Sequence, residues 1–228
     1  MRQIQLTLYS FDDLTEKVQK VIVDRERWNI MESCMDSYSI DYRNSLEQFE
    51  KLFDINCHDW EVGYCSYHYR FRINKEEAFE WQHDGWQSIP LESLSGKLLV
   101  RYLQQNILPG ILKGKYYGKL KGVYPNAIHY KRYSKIFFES DCPLTGCCYD
   151  HDLINPVLEY LAKPTPNITY QELVRNCLVQ FFRTWHEEYK YWANDEDAIR
   201  EQLHNNQYED MLFHANGIEY NGPLGNVA

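Results

Sequence analysis

The sequence lacks any long hydrophobic run. No window in its 228 residues approaches the roughly 18 consecutive apolar residues that a membrane helix needs, so we expect no membrane contact. The N-terminus has no apolar stretch of signal-peptide length and reaches the acidic residues Asp12 and Asp13 early, so we expect no secretory signal. These two features predict a cytoplasmic protein.

The motifs of several common reaction classes are also missing. The chain has no Gly-x-Ser-x-Gly elbow, no His-Glu-x-x-His pair and no Gly-x-x-x-x-Gly-Lys-Ser/Thr loop. Asp150 and Asp152 flank His151 and could act as acid and base, but their position just before a predicted helix favours helix capping. The sequence therefore favours a function without catalysis, and we expect no cofactor.

Acidic residues are missing from one segment of a chain that is acidic as a whole. The net charge is −9, yet residues 93–138 contain nine Lys or Arg side chains, six Tyr and no Asp or Glu. Lysine and arginine neutralise phosphates, and tyrosine rings stack on unpaired bases. We therefore predict that this basic segment contacts RNA, DNA or a partner protein through Lys113, Lys115, Tyr116, Tyr117, Lys119, Lys121, Lys131, Arg132 and Lys135.

The C-terminal stretch from Glu187 to Glu219 is the acidic counterpart of the basic segment, with nine acidic residues against Lys190 and Arg200. Two further interpretations follow from this segregation. The basic segment could pair internally with the acidic stretch, as a solvated hairpin against a helix. Alternatively, the acidic residues could mimic a nucleic-acid duplex and capture a protein that binds one.

Cysteine occurs seven times, an odd number, and no signal peptide accompanies it, so we expect free thiols. Two groups have the residue types of a metal site. The first is Cys57, His58, Cys65 and His68, where a predicted strand points Cys65 and His68 to opposite faces and so favours buried thiols and surface imidazoles. The second is Cys142, Cys147, Cys148 and His151. It precedes a helix, whose N-terminus would depress the pKa of Cys147 or Cys148, so it is a weak candidate for a metal or reactive-thiol site, with small packing residues as the alternative.

The hydrophobic periodicity predicts an α+β fold. We expect one domain over residues 1–228, with several amphipathic helices packed on a small, mostly antiparallel sheet. Asn216-Gly217 predicts a C-terminal hairpin with a type I′ turn, and Thr169-x-x-Glu172 predicts a capping box that opens a long helix. The other expected helices cover residues 11–35, 41–53, 90–107, 153–161 and 195–203, the expected strands cover 3–9, 55–73 and 130–138, residues 76–81 are a short helix or a loop turn, and 113–122 are a loop or edge hairpin.

Several short motifs occur in an order that resembles a known group of proteins. They are Leu8-Tyr9-Ser10-Phe11-Asp12-Asp13-Leu14, Leu46-x-x-Phe49, Asp59-Trp60, Gly114-Lys115-Tyr116-Tyr117, Leu144-Thr145-Gly146-Cys147-Cys148-Tyr149-Asp150, Asp195-Glu196-Asp197-Ala198-Ile199, and Tyr208 before the final hairpin. Together they resemble a family of uncharacterised phage and prophage proteins that often begin with a tyrosine-serine-phenylalanine-aspartate motif and are labelled antitoxin-like. The resemblance covers most of the chain. It implies a mobile genetic element and supplies no catalytic residue.

The resemblance and the segregated charges together lead to a functional hypothesis. We expect an anti-CRISPR or other anti-defence protein that acts in the host-cell cytoplasm. It would bind a host defence protein or nucleoprotein complex stoichiometrically and block it without catalysis, with RNA or DNA contact through residues 97–135. The alternatives are an antitoxin whose acidic C-terminal region covers a basic toxin surface, a nucleic-acid-binding protein, and an enzyme that uses the loop from Cys142 to His151.

Overall fold

The computed structural model describes residues 6–82, 85–112, 117–119, 130–132, 142–204 and 211–221. The helices are α1 (Glu16–Phe53), α2 (Gly96–Tyr102), α3 (Leu108–Leu112), α4 (Asp150–Ala162), α5 (Tyr170–Asn194) and α6 (Glu196–His204), and the strands are β1 (Ile55–Val62), β2 (Tyr67–Ile73), β3 (Glu77–Gln82), β4 (Gly85–Pro90), β5 (Tyr117–Lys119) and β6 (Tyr130–Arg132). The α+β prediction is confirmed. Within these ranges, the strands form antiparallel two-stranded ribbons, β1–β2, β3–β4 and β5–β6.

Helix α1 is one continuous helix of 38 residues, so the prediction of separate helices over 11–35 and 41–53 is wrong. No glycine or proline interrupts residues 36–40, and the buried positions continue across them at spacings of three and four. The predicted capping residues at its start form a turn instead. Ser10 Oγ donates to the Asp13 carboxylate at 2.7 Å, but the helix begins only at Glu16.

The predicted long strand over 55–73 is a hairpin. β1 and β2 are joined by a turn in which the Gly63 amide donates to the Ser66 carbonyl at 3.1 Å. Side-chain exposure alternates along β2 as predicted, with Tyr67, Tyr69 and Phe71 half-buried and the intervening His68, Arg70 and Arg72 exposed. The alternation over residues 63–73 does not reveal the turn, and in β1 the alternation is interrupted at His58 and Asp59, which are both exposed.

Two proline residues lie inside helices, Pro109 and Pro156. The sequence predicted that one helix would end before Pro109 and that Pro156 would lie in the first turn of another. The helix expected to stop at Pro109 continues from α2 through a π-helical turn, Leu103–Ile107, into α3, which contains Pro109. Helix α4 begins at Asp150 rather than 153, which places Pro156 in its second turn. Residues 77–82 and 85–90 form the β3–β4 ribbon, where the sequence predicted a short helix or loop turn over 76–81.

The capping box before α5 is confirmed. The amide and hydroxyl of Thr169 both donate to the Glu172 carboxylate, at 2.9 and 3.0 Å, and the Glu172 amide donates to Thr169 Oγ1 at 3.2 Å. These hydrogen bonds favour the charged carboxylate and lower the pKa of Glu172.

The chain divides into two compact units. Unit 1 comprises residues 1–38 and 187–228, and unit 2 comprises residues 39–186. The core of unit 1 contains Phe11, Leu14, Ile22, Val23, Ile30, Ile199, Leu203 and Phe213. By sequence, unit 1 contains 16 acidic and 7 basic side chains, whereas unit 2 contains 17 of each, so unit 1 carries the net charge of −9. That all 228 residues act as one domain stays a prediction.

The C-terminal hairpin differs from the predicted turn type. The Gly217 amide donates to the His214 carbonyl and the His214 amide to the Ile218 carbonyl, each at 2.8 Å. Gly217 has φ of 81°, but Asn216 does not share the positive φ that a type I′ turn requires at both central residues. Phe213 bridges Glu219 and also Tyr9, which belongs to the strand predicted over 3–9. Residues 3–5 of that strand lie outside the described residues.

Replacing Gly217 by alanine is expected to destabilise the protein by about 2–3 kcal/mol. A Cβ at this position would lie 2.9 Å from Val18 Cγ1 and 3.3 Å from Ile22 Cγ1, and the positive φ adds backbone strain. Urea unfolding followed by circular dichroism measures the loss. Gly63→Ala is the matched control, since a Cβ there meets no atom within 4 Å. Equal midpoints for the two variants would contradict the prediction.

Candidate functional site

The basic segment begins on a helix. Lys97 and Arg101 are exposed on α2, and because they are four residues apart they lie on the same helix face. The segment continues into the β5–β6 ribbon, which contains Tyr117, Lys119, Lys131 and Arg132 of the predicted contact residues. The other predicted contact residues, Lys113, Lys115, Tyr116, Lys121 and Lys135, lie outside the described residues.

The register of the β5–β6 ribbon pairs an aromatic residue with a cationic one at both ends. Tyr117 lies opposite Arg132, and Lys119 lies opposite Tyr130, with Gly118 and Lys131 between them. Strand β5 falls within residues 113–122, where a loop or edge hairpin is predicted, and β6 begins the strand predicted over 130–138. The rest of both ranges lies outside the described residues. In both end pairs, the register therefore places a residue type that stacks on bases opposite one that neutralises phosphates.

The loop before α4 is organised around Asp150, which is fully buried. Its Oδ2 atom accepts hydrogen bonds from the backbone amides of Leu144, Thr145 and Gly146, at 2.9, 2.6 and 3.1 Å. Its Oδ1 atom accepts one from the Thr145 hydroxyl at 2.9 Å. Asp150 therefore stabilises the turn that precedes the helix rather than capping the helix or presenting a carboxylate to a substrate.

The Cys148 thiol on this loop is not activated as predicted. Burial, together with the neighbouring Cys147 and Cys142 thiols, raises the pKa of Cys148 to about 11. The depressed pKa expected for Cys148 at a helix N-terminus is therefore wrong, and the thiol is protonated at neutral pH. Within the described ranges, which include Cys142, Cys147, Cys148 and His151, no three His, Cys, Asp or Glu side chains are grouped so that they could hold a metal ion.

The first Cys/His group is spread over the β1–β2 hairpin. Cys57 is buried, and burial raises the pKa of its thiol to about 12. His58, Cys65 and His68 are exposed. This arrangement agrees with the expected surface imidazoles and with a buried thiol at Cys57. The expected burial of Cys65 is wrong, because this residue is exposed in the turn between the strands.

A buried imidazole that the sequence did not single out lies on α5. His186 is only 7% exposed. Its Nδ1 donates to the Gly63 carbonyl at 2.7 Å, and its ring packs against Tyr67. His186 therefore holds the turn of the β1–β2 hairpin against α5. The histidine was missed because Gly63 is 123 residues away along the chain.

Unit 1 has a groove of about 210 Å³ that the sequence did not reveal. Its lining combines hydroxyl, thiol and amide groups from two helices, α1 and α6: Ile30, Ser33, Cys34, Ser37, Tyr38 and Gln202. No charged side chain is among these residues. Burial raises the pKa of both Cys34 and Tyr38, so their neutral forms are favoured at physiological pH.

Comparisons with known proteins do not assign this chain to a family. No protein-family model, curated protein or solved structure matches this chain. The resemblance to phage and prophage proteins accordingly stays a prediction. Among the helices of the described residues, none combines the length and the apolar character needed to cross a membrane.

Proposed function

We propose that this protein is a stoichiometric inhibitor from a mobile genetic element that binds a host defence nucleoprotein, such as a CRISPR effector, without catalysis. The basic segment, residues 93–138, would contact the nucleic acid of that complex. The observation that carries the proposal is the concentration of nine cations and six tyrosines, without an acidic residue, in a chain of net charge −9.

The structure supports the proposal in two places. Lys97 and Arg101 are exposed on one face of α2, and the β5–β6 register sets tyrosine opposite a cation in two pairs. A two-stranded ribbon is a shape that proteins use to enter a nucleic-acid groove, and aromatic residues on such a ribbon can also stack on unpaired bases.

Reversing three charges together, Lys115→Glu, Lys119→Glu and Lys121→Glu, is expected to abolish nucleic-acid binding at physiological salt. Each lost phosphate contact lowers the dependence of log affinity on log salt concentration by about 0.7 to 0.9, so three contacts lower the slope by about 2 to 3. Fluorescence anisotropy with labelled single-stranded RNA and duplex DNA, over a salt series, measures both quantities.

The matched control reverses three lysines of unit 1, namely Lys17, Lys20 and Lys190, which are all exposed. Both triple variants change the net charge of the protein by the same amount, so a general charge effect moves both. An unchanged affinity in the Lys115, Lys119 and Lys121 variant contradicts the basic-segment proposal.

The inhibitor activity needs a second test, in cells that express defence systems. Tagged protein is recovered with and without nuclease treatment. Recovery of a defence effector that survives nuclease supports direct inhibition. Recovery of RNA or DNA alone, lost on nuclease treatment, contradicts direct inhibition and indicates a nucleic-acid-binding protein.

The antitoxin alternative is favoured by one observation, the concentration of the net negative charge in unit 1. It predicts that a toxic protein encoded by a neighbouring gene co-purifies with this chain. Absence of such a neighbour would count against it.

A further inference from the structure

The groove of unit 1 is open because the side chains that α1 directs into it are small. Its lining is a stripe of α1 with spacings of three and four residues, completed by one residue of α6: Ile30, Ser33, Cys34, Ser37, Tyr38 and Gln202. Large apolar side chains at the centre of this stripe would close the space. Ser33, Cys34 and Ser37 stand there instead and leave a volume of about 210 Å³.

The polar groups of this lining are not used by the protein itself. In the part of the chain that the structure describes, the hydroxyls of Ser33, Ser37 and Tyr38 have no hydrogen-bond partner, and neither has the carboxamide of Gln202. Serines within helices can donate to the carbonyl four residues earlier, but within the described residues neither of these serines does so. The groove therefore offers several hydrogen-bond donors and acceptors to a bound molecule.

Tyr38 gives the groove an aromatic side chain that is held in place from behind. Its ring stacks on Trp192, with 6.0 Å between the ring centroids and an interplanar angle of 26°. Trp192 is only 8% exposed, so it restricts the rotation of Tyr38. At the other end of the stripe, the buried Ile30 adds an apolar contact. Tyrosine rings stack on unpaired nucleobases, whose edges are then read by hydrogen bonds.

The charges of unit 1 favour an uncharged ligand in the groove. No lining residue is charged, and unit 1 contains 16 acidic against 7 basic side chains. Burial, the Cys34 thiol and the Glu188 carboxylate raise the pKa of Tyr38, so this carboxylate lies close to the groove. An anion would meet repulsion there. A cation would lose hydration without finding a carboxylate in the lining to replace it.

We propose that the groove of unit 1 binds an uncharged purine base, free or as a nucleoside. The Gln202 carboxamide carries a donor and an acceptor, the combination with which glutamine pairs with the edge of adenine. Tyr38 would stack on the base, and Ser33 and Ser37 would hydrogen-bond to its remaining groups or to the ribose. The groove is smaller than the pockets of drug-sized ligands, which span about 300–1,000 Å³, and so suits a molecule of this size.

This inference does not depend on the proposed nucleic-acid contact. The groove lies in unit 1, whereas the basic segment lies in unit 2. A nucleoside carries no phosphate, so the cations of the basic segment have no charge to neutralise on it.

The probe is adenosine, titrated into the full-length protein and followed by isothermal titration calorimetry. Three comparison ligands test the assigned chemistry. Ribose lacks the base, adenosine monophosphate adds negative charge, and choline offers a cation without a base. We expect saturable binding of adenosine, binding of adenosine monophosphate that is about tenfold weaker, and no binding of ribose or choline.

Ser37→Leu is expected to abolish adenosine binding, because the larger side chain occupies the space of the base. Ser37 is exposed, so this variant should fold, and Ser37→Ala keeps the space while it removes only the hydroxyl. We expect Ser37→Ala to weaken binding by about threefold and Gln202→Leu by about tenfold, since the latter removes a donor and an acceptor. The matched control is Gln48→Leu, at a half-buried glutamine of α1 in unit 2, which should bind adenosine as the parent protein does. Circular dichroism confirms that each variant is folded.

The proposal is wrong if adenosine shows no saturable binding, or if Ser37→Leu and Gln202→Leu leave its affinity unchanged. Equal binding of ribose would assign the groove to a sugar, and tighter binding of adenosine monophosphate or choline would assign it to a charged ligand. Either result contradicts a site for an uncharged base. Reversal of Lys115, Lys119 and Lys121 should leave adenosine binding intact, and Ser37→Leu should leave RNA binding intact, so each of the two proposals can fail without the other.

Discussion

Asp150→Ala is expected to destabilise unit 2 by about 2–4 kcal/mol. The carboxylate accepts three backbone amide hydrogen bonds and one from a hydroxyl, all from residues 144–146, and it is fully buried. Removing it leaves those amides without an acceptor, and a buried unsatisfied donor costs about 1–3 kcal/mol. Leu144 is half-buried, whereas Thr145 and Gly146 are exposed, so water replaces part of the lost hydrogen bonding. Partial relaxation of the loop toward solvent keeps the total below the sum of the four.

The asparagine variant separates the geometry of this site from its charge. Asp150→Asn retains one oxygen that can accept the three amide hydrogen bonds, and Thr145 can turn its hydroxyl to accept from the new amide group. We expect a loss of about 1–2 kcal/mol, because neutral hydrogen bonds replace charge-assisted ones. Urea unfolding gives both values. Asp152→Asn, at a half-buried carboxylate that accepts from Gln180 at 3.2 Å, is the neighbouring control and should change stability less.

A catalytic Asp150 would behave differently from the structural one described. It would tolerate replacement in folding while an activity was lost, as enzyme active sites often do. If Asp150→Ala leaves the unfolding midpoint unchanged, the hydrogen-bonded role is wrong, and the pairing of Asp150 and Asp152 as acid and base regains support.

Local sequence signals predicted the parts of the fold that depend on near neighbours. The capping box at Thr169 and Glu172 needs only residues three apart, and the alternation along β2 needs only residues two apart. Both were correct. The α+β class follows from a mixture of the two periodicities and was also correct.

Features that depend on distant partners were missed. Asp150 was expected to act on the helix that follows it, but its hydrogen bonds run back to the preceding turn. His186 has an ordinary helical context and is recognisable as buried only once Gly63 is known to lie against it. The groove of unit 1 joins α1 to Gln202, so it leaves no pattern in one stretch of sequence. The basic segment could be predicted because the charge of a segment follows from its own sequence and does not depend on a distant contact.

Trp185→Ala is expected to cause the largest loss of stability of any single substitution considered, about 3–5 kcal/mol. Trp185 is 1% exposed at the centre of an aromatic cluster in unit 2. Its ring stacks on Tyr42 at 4.7 Å with an interplanar angle of 1°, and it contacts Trp60 at 5.3 Å and Phe181 at 5.9 Å between centroids. Alanine removes the ring and leaves a cavity that these rigid neighbours cannot fill.

The Trp185→Phe variant separates the two contributions of Trp185 to stability, the packing of its ring and the burial of its indole nitrogen. In the described part of the chain, the buried Nε1 of Trp185 has no hydrogen-bond partner, so its desolvation opposes folding. Phenylalanine removes that polar atom and keeps an aromatic ring against Tyr42, so we expect a loss of only about 1–2 kcal/mol. Far-UV circular dichroism during urea unfolding measures both variants without relying on tryptophan emission. Trp28→Ala, at a half-exposed position, is the control for removing an indole from this protein. A loss for Trp185→Phe as large as that for Trp185→Ala would mean that Nε1 makes a stabilising hydrogen bond, and the packing argument would then account for only part of the effect.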